Sequence, residues 1–324
     1  MKNILIVGGA GYIGTHKVVC LLEQGYHPIV LDNVTTGHQK NILGGQFIAG
    51  DCGNKTLLDK IFTEHAIDAV MHFAAYSQVG ESVQAPQKYY QNNVANTLTL
   101  LDAMLAHHVK HFIFSSTAAI FGEPQYIPIN EQHPKNPLNP YGRSKWMVEQ
   151  VLQDYDAAYG LKSVCLRYFN AAGADPQGRI GECHEPESHL IPLVLQTAAG
   201  KREQITIFGD DYATADGTCI RDYIHVTDLC DAHWLALQQL LLTKHSAVYN
   251  LGNGDGFSVK EVIASAKQVT GRNFNVAIAP RRPGDPARLI ADARQAQQAL
   301  SWQPRYADLA SIIAHAWQWE MTCL

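Results

Sequence analysis

The first half of the chain alternates short apolar runs with longer amphipathic stretches. Ile4-Leu5-Ile6-Val7 is apolar without a break, the pattern of a strand covered on both faces, and glycines at 8, 11 and 14 lead into a helical stretch that Gly25 stops. The pattern then repeats. A strand from His27 to Leu31 ends at Asp32, a second runs from Gln46 to Ala49, a helix covers Lys55 to His65, and a strand covers Ala69 to His72. A long helical stretch from Glu81 to about His107 is softened by Pro86, and a strand at His111 to Phe114 delivers Ser115-Ser116-Thr117-Ala118-Ala119. A proline-rich loop (Pro124, Pro128, Pro134, Pro137, Pro140) then opens a helix at Tyr141, followed by a strand from Leu161 to Tyr168. Strand and helix in strict turn predict an α/β protein built on a doubly wound parallel (Rossmann) sheet.

Past Asn170 the alternation fails. The stretch to about Asp222 is rich in Gly, Pro and polar residues, with a helix near Leu190 to Ala199 and a strand at Ile205 to Phe208. Arg221 to Asp228 returns toward the sheet, with Thr227 as the expected cap of a helix to about Leu241. A strand at Val248 to Leu251, a helix from Ser258, a strand near Asn275 to Ile278 and helices near Asp292 and Tyr306 follow. The expected division is a dinucleotide-binding domain of residues 1–168 plus about 222–250, and a smaller α/β substrate lobe of about 169–221 plus 251–324.

The glycine turn between strand and helix is where chemistry enters. Glycines allow the tight turn and close backbone approach to a pyrophosphate, which the helix N-terminus faces. Asp32 closes the next strand at the distance of ~20 residues expected for a ribose-binding acid. A carboxylate there accepts a 2'-hydroxyl and repels a 2'-phosphate, and no arginine follows it directly, so NAD is expected rather than NADP. Asp51 and Cys52 lie just past a strand end, where they flank an adenine or serve as plain loop residues. Phe73-Ala74-Ala75 leaves another strand end with side chains small enough for backbone to approach a cofactor; Ser77 follows, and Asn92 is a candidate polar contact to the strand ends.

Tyr141 and Lys145 stand one above the other on a helix face. A tyrosine with a reference pKa of about 10 needs a nearby cation to act as a base near neutrality. A lone Tyr-x-x-x-Lys spacing is most often one half-buried Tyr and one solvated Lys; the glycine turn, Asp32 and Thr117 at a strand end change that reading. Arg281 and Arg282 share a loop and suit bidentate contact with phosphate or hydroxyls, or form a solvated basic loop.

Composition narrows the partners. With 46% hydrophobic and 17% charged residues over 324, and a net charge of -5, the chain fits one large or two moderate soluble domains and lacks a nucleic-acid or membrane footprint. The seven cysteines (Cys20, Cys52, Cys165, Cys183, Cys219, Cys230, Cys323) include no C-x-x-C pair, which fits reduced thiols in the cytoplasm. The N-terminal apolar run is too short for a signal peptide, and no segment is long enough to span a bilayer. His107, His108 and His111 suit a solvated helix end better than a metal site, and no metal is expected.

Taken together, GGAGYIGTH, LDN at Asp32, HFAAYSQVGES from His72, YYQNNV from Tyr89, SSTAAIFG from Ser115, NPYGRSK from Asn139, LRYFNAAGA from Leu166, HLIP from His189, the run from Asp216 to Asp228 and RRPGDP from Arg281 resemble the extended short-chain dehydrogenase/reductase family. The resemblance covers nearly the whole chain and is narrowest to the UDP-galactose 4-epimerases. It implies NAD held through the cycle by Gly8, Gly11, Tyr12, Ile13, Gly14, Asp32, Asn33, Asp51, Cys52, Phe73, Ala74, Ala75, Ser77, Asn92, Ser115, Tyr141, Lys145 and Tyr168. It implies Tyr141 as catalytic base, Lys145 as the pKa-lowering lysine and Thr117 as a hydrogen-bond partner of the substrate oxygen. Tyr141 takes the sugar 4-hydroxyl proton while hydride passes to NAD; the keto sugar turns over and receives the hydride on its other face. Asn170, His189, Leu190, Phe208, Arg221, Tyr223, Arg282, Asp285 and Leu289 are then expected at the UDP-sugar, with Arg221 and Arg282 at its phosphates.

Some epimerases carry lysine where this chain has Ser77, which leaves that cofactor contact weaker. Leu289 falls where a large aromatic excludes an N-acetyl group, so UDP-N-acetylhexosamines are an open alternative substrate. Dehydratases, which share the fold, place Asp and Glu directly after the threonine; Ala118 and Ala119 argue against elimination. A non-catalytic NAD-binding regulator is further off, since Tyr141, Lys145 and Thr117 are all present. Family members form homodimers through the helices after Glu81 and Tyr141, which is the expectation here.

Overall fold

The computed structural model describes residues 2–282 and 284–322; Met1, Leu324, Pro283 of the Arg281 loop and Cys323 lie outside the described residues. In chain order the first elements are β1 (Asn3–Val7), α1 (Tyr12–Glu23), β2 (His27–Asp32), β3 (Gln46–Ala49), α2 (Lys55–Glu64), β4 (Ile67–His72), α3 (Val79–Gln84), α4 (Pro86–Tyr90) and α5 (Asn96–Ala106). They continue with β5 (His111–Thr117), α6 (Pro140–Tyr159), β6 (Lys162–Tyr168), β7 (Asn170–Ala172), α7 (Leu190–Ala198), β8 (Gln204–Phe208), β9 (Ile220–Arg221), β10 (Tyr223–His225) and α8 (Val226–Thr243). The last are β11 (Ala247–Leu251), β12 (Phe257–Ser258), α9 (Val259–Thr270), β13 (Asn275–Ala279), β14 (Arg288–Leu289), α10 (Arg294–Leu300) and α11 (Leu309–Thr322).

Seven strands form one sheet in the order β11-β6-β5-β4-β1-β2-β3, and every pairing in it is parallel. Strand order reverses at the β1/β4 border, the crevice where ligands bind in such sheets. The unbroken apolar run of β1 follows from burial on both faces. Ile4 and Ile6 pack with Val18 and Leu21 of α1 and Leu229 and Leu237 of α8. Leu5 and Val7 pack the other way, with Leu58 of α2, Leu100 of α5 and Val148 of α6. Each such side chain contributes about 2 kcal/mol by leaving water.

Three local expectations are corrected. The long helical stretch after Glu81 is broken into α3, α4 and α5, with a π-helical turn at Gln91–Ala95. The cap of α8 is His225, whose ring accepts from the Thr227 amide at 3.1 Å; Thr227 is inside the helix. Strand β5 also runs on through Ser115 to Thr117, so those residues are strand rather than loop.

The second core gathers α7, α9 and α11 with the parallel pair β8/β13. Its junction with the sheet is Asp222, between β9 and β10. The fully buried Asp222 carboxylate accepts from the backbone amides of Asn253, Gly254 and Ala291 at 2.7 to 3.0 Å. Burial raises its pKa to about 6 against those three donors. Asp222→Ala takes the acceptor from three backbone amides, that of Ala291 buried, so a loss of about 3 kcal/mol is expected in urea denaturation. A loss under about 1 kcal/mol, the scale of one ordinary hydrogen bond, would rule out this junction role.

Candidate active site

The glycine turn lies at the carboxyl end of β1. Gly8 has φ +82°, and a Cβ there would sit 2.3 Å from the Ala74 amide nitrogen. At Gly14 a Cβ would meet the Gly8 carbonyl oxygen at 2.2 Å, so α1 presses directly on the turn. Gly11 is the N-cap of α1 without a side-chain cap, which leaves first-turn amides for an anionic ligand. Tyr12 and Ile13 open this helix, but the Tyr12 hydroxyl is committed to the Gly173 carbonyl at 2.7 Å and stitches the sheet to the second lobe.

Asp32 ends β2 with its carboxylate held by the amides of Ala10 (2.9 Å) and Val34 (2.7 Å). Burial raises its pKa, and these two hydrogen bonds oppose the rise. Two donors fix it and leave lone pairs for a ribose. Val34 sits at φ +50°, a strained conformation for a β-branched residue, next to this acid. Asp51 joins the same corner: it accepts from Asn33 (2.9 Å), the Gly53 amide (2.7 Å) and Asn96 (2.9 Å). The adjoining Cys52 thiol is buried and pushed up to about 12, so it is inert at neutral pH.

The loop after β4 is tied to β1 through the Phe73 and Ala74 amides, which donate to the Val7 carbonyl at 2.7 and 3.0 Å. Ala75 is half-buried and Ser77 exposed. The residue that holds this loop is Asn93. It bonds both the amide and carbonyl of Tyr76 at 3.0 Å and the Ser144 hydroxyl of α6 at 3.1 Å, while half-buried Asn92 donates to Asn93 at 2.9 Å. The π turn at 91–95 is what the sequence reading lacked.

At the end of β5 the reactive side chains meet. Asn139 caps α6 by accepting from the Gly142 amide at 2.9 Å, with Pro140 in its first turn. A Cβ on Gly142 would meet the Ala119 carbonyl oxygen at 2.5 Å, and this close seat puts Tyr141 beside Thr117. Thr117 lies close enough to lower the Tyr141 phenol, but burial outweighs it and the net shift is upward. Lys145 is buried, donates to the Ser115 carbonyl at 2.8 Å and has its ammonium 4.9 Å from the centre of the Phe114 ring. Burial depresses it to about 7, opposed by the Glu149 charge. Burial disfavours both charged forms, so the protein's own groups leave the phenol above its ordinary value. Ser115 and Tyr168 share a short hydroxyl–hydroxyl hydrogen bond, and burial raises the Tyr168 phenol.

Residues expected at a substrate lie on the second lobe. Leu289 pairs with Arg221 between β14 and β9 and packs on the cluster of Ala118, Ile120, Phe121 and Ile129, directly after Thr117. Arg221 is ion-paired with Asp285, and Arg282 stacks on Phe208 with its guanidinium 4.0 Å from the ring centre. Arg281 does not join them: it binds Asp211 at 2.6 Å and lies over Tyr212. Asn170 opens β7, paired to β10 at Tyr223. Tyr223 is buried in the second core with its phenol raised by burial, so its ring faces hydrophobic neighbours. His189 and Leu190 begin α7. The His189 ring bonds Glu182 and, with His184 and Glu187, brings four donor atoms within 4.8 Å of one another. The acids hold both imidazoles in their charged form, His184 up to about 10, so the cluster is one of imidazolium–carboxylate pairs.

This geometry has close counterparts. The family described as NAD dependent epimerase/dehydratase matches residues 4–252. The chain belongs to that family. It is 58% identical to a UDP-glucose 4-epimerase of Halalkalibacterium halodurans, over 98% of this chain and 95% of that one. The Brucella ovis UDP-glucose 4-epimerase solved in complex with NAD superposes with a TM-score of 0.96 at 48% identity, covering 98% of both chains. The Bifidobacterium longum UDP-glucose 4-epimerase in complex with NAD+ and UDP gives 0.94 at 39% identity, covering 99% of this chain and 98% of that one.

The dinucleotide that names the family fits the residues present. Gly8 and Gly14 leave a cradle that any Cβ would fill, the α1 amides stand beyond it, and Asp32 retains free lone pairs at its edge. Two groups went unnoticed in the sequence: Asn93, and the buried pair Glu149–Arg167 at 2.5 Å behind Lys145. Glu149 is one helical turn after Lys145, a spacing that was readable. Gly14→Ala is expected to keep the circular dichroism of the parent but to lower NAD affinity by tenfold or more, about 1.4 kcal/mol. Unchanged affinity in a fluorescence titration would show that the contact with Gly8 does not shape the cofactor site.

Proposed function

We propose that the protein inverts C4 of the hexose in UDP-galactose and UDP-glucose, with NAD as resident cofactor. The observation that carries this is the meeting of Thr117, Tyr141 and Lys145 at the end of β5, with alanines rather than acids after Thr117. Residues 1–168 with about 222–250 form the NAD-binding domain, and about 169–221 with 251–324 the UDP-sugar lobe. Gly8, Gly11 and Gly14 take the pyrophosphate, Asp32 and Asn33 the adenosine ribose, and Asp51 and Cys52 the adenine side. Phe73, Ala74, Ala75, Ser77, Asn92, Ser115 and Tyr168 line the remainder. Bound NAD supplies the hydride acceptor and donor, and its positive ring.

Tyr141 takes the 4-hydroxyl proton at its phenolic oxygen, and Thr117 holds the same sugar oxygen. Lys145 keeps the phenolate favourable while it is charged. Since burial lifts the Tyr141 phenol in the protein alone, the cationic ring is the further charge that makes it a base near neutrality. Arg221, now paired with Asp285, and Arg282, now stacked on Phe208, turn to the diphosphate. Asn170, His189, Leu190, Tyr223 and Leu289 border the nucleotide and sugar. Firm hold on UDP with uncharged neighbours for the hexose lets the keto sugar rotate.

A homodimer through the α3 and α6 faces is supported by exposed Val79, Val83, Met147 and Tyr159. Among the described residues Cys20, Cys52, Cys165, Cys219 and Cys230 carry no disulfide, which supports a cytoplasmic protein, and no helix is long and apolar enough to cross a membrane.

UDP-galactose added to the purified protein without NAD should yield UDP-glucose to a stable mixture. Tyr141→Phe should lower kcat by about 10²- to 10⁴-fold. No conversion by the parent, even with NAD supplied, would sink the epimerase reading. For the sugar 2-substituent, Leu289 leaves room that an aromatic ring would occupy: the parent should turn over UDP-GlcNAc, and Leu289→Tyr should lose that activity while keeping UDP-galactose. Absence of UDP-GlcNAc turnover in the parent would rule this out.

A further inference from the structure

Behind the reactive pair lies a buried carboxylate with no role so far. Glu149 and Arg167 have side chains 1% and 3% exposed and are joined at 2.5 Å, with further guanidinium contacts at 3.0 and 3.2 Å. The same carboxylate accepts from the Ser116 hydroxyl at 2.5 Å. Ser116 separates the Ser115 carbonyl, which receives the Lys145 ammonium, from Thr117, the strand residue beside Tyr141. Glu149 therefore grips the strand segment that carries both partners, from the helix that carries both reactive side chains.

The other groups around Lys145 do not supply this charge. On α6 Tyr141 is a neutral phenol raised by burial. His72 on β4 is pushed down to about 3 by burial and by Lys145 itself, so it is neutral. On β6 burial raises Cys165 and Tyr168, which keeps them neutral, and Arg167 is engaged by Glu149. In the preceding loop Lys135 donates to the Glu131 carbonyl at 2.6 Å, and the Glu131 carboxyl, raised by burial, accepts from the Asn250 amide at 2.7 Å.

We propose that Glu149 is a positioning residue for the reaction: one helical turn after Lys145 and bonded to Ser116, its carboxylate holds the strand segment against which the reactive pair lies, and so sets the pH window in which Tyr141 works. This rests on the epimerase reading for its activity test, though not for its second measurement. Without the carboxylate, Lys145 loses its proton at lower pH, so the alkaline limb of kcat moves down. With less ammonium present the phenol ionises less readily, so the acid limb moves up and the window narrows from both sides.

The test compares pH profiles of kcat with UDP-galactose for the parent, Glu149→Gln and the charge-preserving Glu149→Asp. The Gln variant should lose about one pH unit on the alkaline limb. The Asp variant should keep the parental limits even if its kcat falls. Because Gln leaves Arg167 unpaired, the double variant Glu149→Gln with Arg167→Gln serves where the single one does not fold, and its window should narrow in the same sense. The phenolate absorbance of Tyr141, read as the difference from Tyr141→Phe in each background, needs no substrate and should titrate higher in the Gln background. A parent without turnover defeats the epimerase reading and leaves that titration to decide. Unmoved limits and an unmoved phenolate in the Gln proteins would overturn the proposal; failure of both charge-removing variants to fold would equally overturn it, by giving Glu149 a purely structural part.

Discussion

Burying an ammonium beside a phenol is the costly act that the rest of this structure accommodates. Lys145 leaves water with only a backbone carbonyl and an aromatic face in direct contact, and its depression to about 7 measures the resulting strain on its charge. Such a group holds its place only if the elements around it cannot relax. Asn139 fixes where α6 starts, Gly142 lets that start press on the turn after Thr117, and β5 stays extended far enough to present Ser115, Ser116 and Thr117 in register. The apolar packing of Val148 and Leu152 under the sheet anchors the same helix. Loss of fit at this seam moves both reactive side chains at once.

The parallel sheet brings that seam to the glycine turn. All seven strands point the same way, so the ends of β1, β2, β4, β5 and β6 share one edge, and the order reverses between β1 and β4. Contact between Gly8 and Ala74 closes the β1/β4 border to side chains and leaves backbone alone at the surface. Asn93 then links the loop after β4 to Ser144 on α6. A dinucleotide lying along this edge meets one connected framework, from Asp32 at one end to Lys145 at the other.

The framework was legible in the sequence because each part leaves a local trace. Uninterrupted apolar runs mark strands buried on two faces, glycines mark the turn, and Asp32 and Tyr141 stand at element ends that the periodicity locates. What the sequence hid depends on contacts between distant segments. Asn92 and Asn93 are equivalent in any linear pattern; the π turn decides which one points inward. His225 displaced Thr227 as a cap because its ring, buried against Tyr306 and His315, reaches the Thr227 amide. The upward shift of the Tyr141 phenol was hidden for the same reason: spacing shows that a lysine is near, whereas burial decides whether that lysine can afford its charge.

The second lobe works by a different rule. Three of its polar side chains already have partners: Arg221 has Asp285, Arg282 the Phe208 face, and His189 Glu182. An anion entering here displaces protein partners rather than filling an unmet need. The net gain is then the difference between two charge-assisted contacts, small for the exposed Arg282 and larger for Arg221, whose side chain is 12% exposed. Leu289 lies across a strand pairing from Arg221 and against Ala118, so the groups suited to phosphate and those suited to a hexose share one rigid ladder. Across that pairing the Arg221 guanidinium meets Asp285, whereas Leu289 packs on the apolar cluster of Ala118 and Phe121. An arginine suited to anions and an apolar side chain thus face one another across a pairing that ends against Ala118, the residue after Thr117, so the two chemistries are held at a fixed spacing from the end of β5.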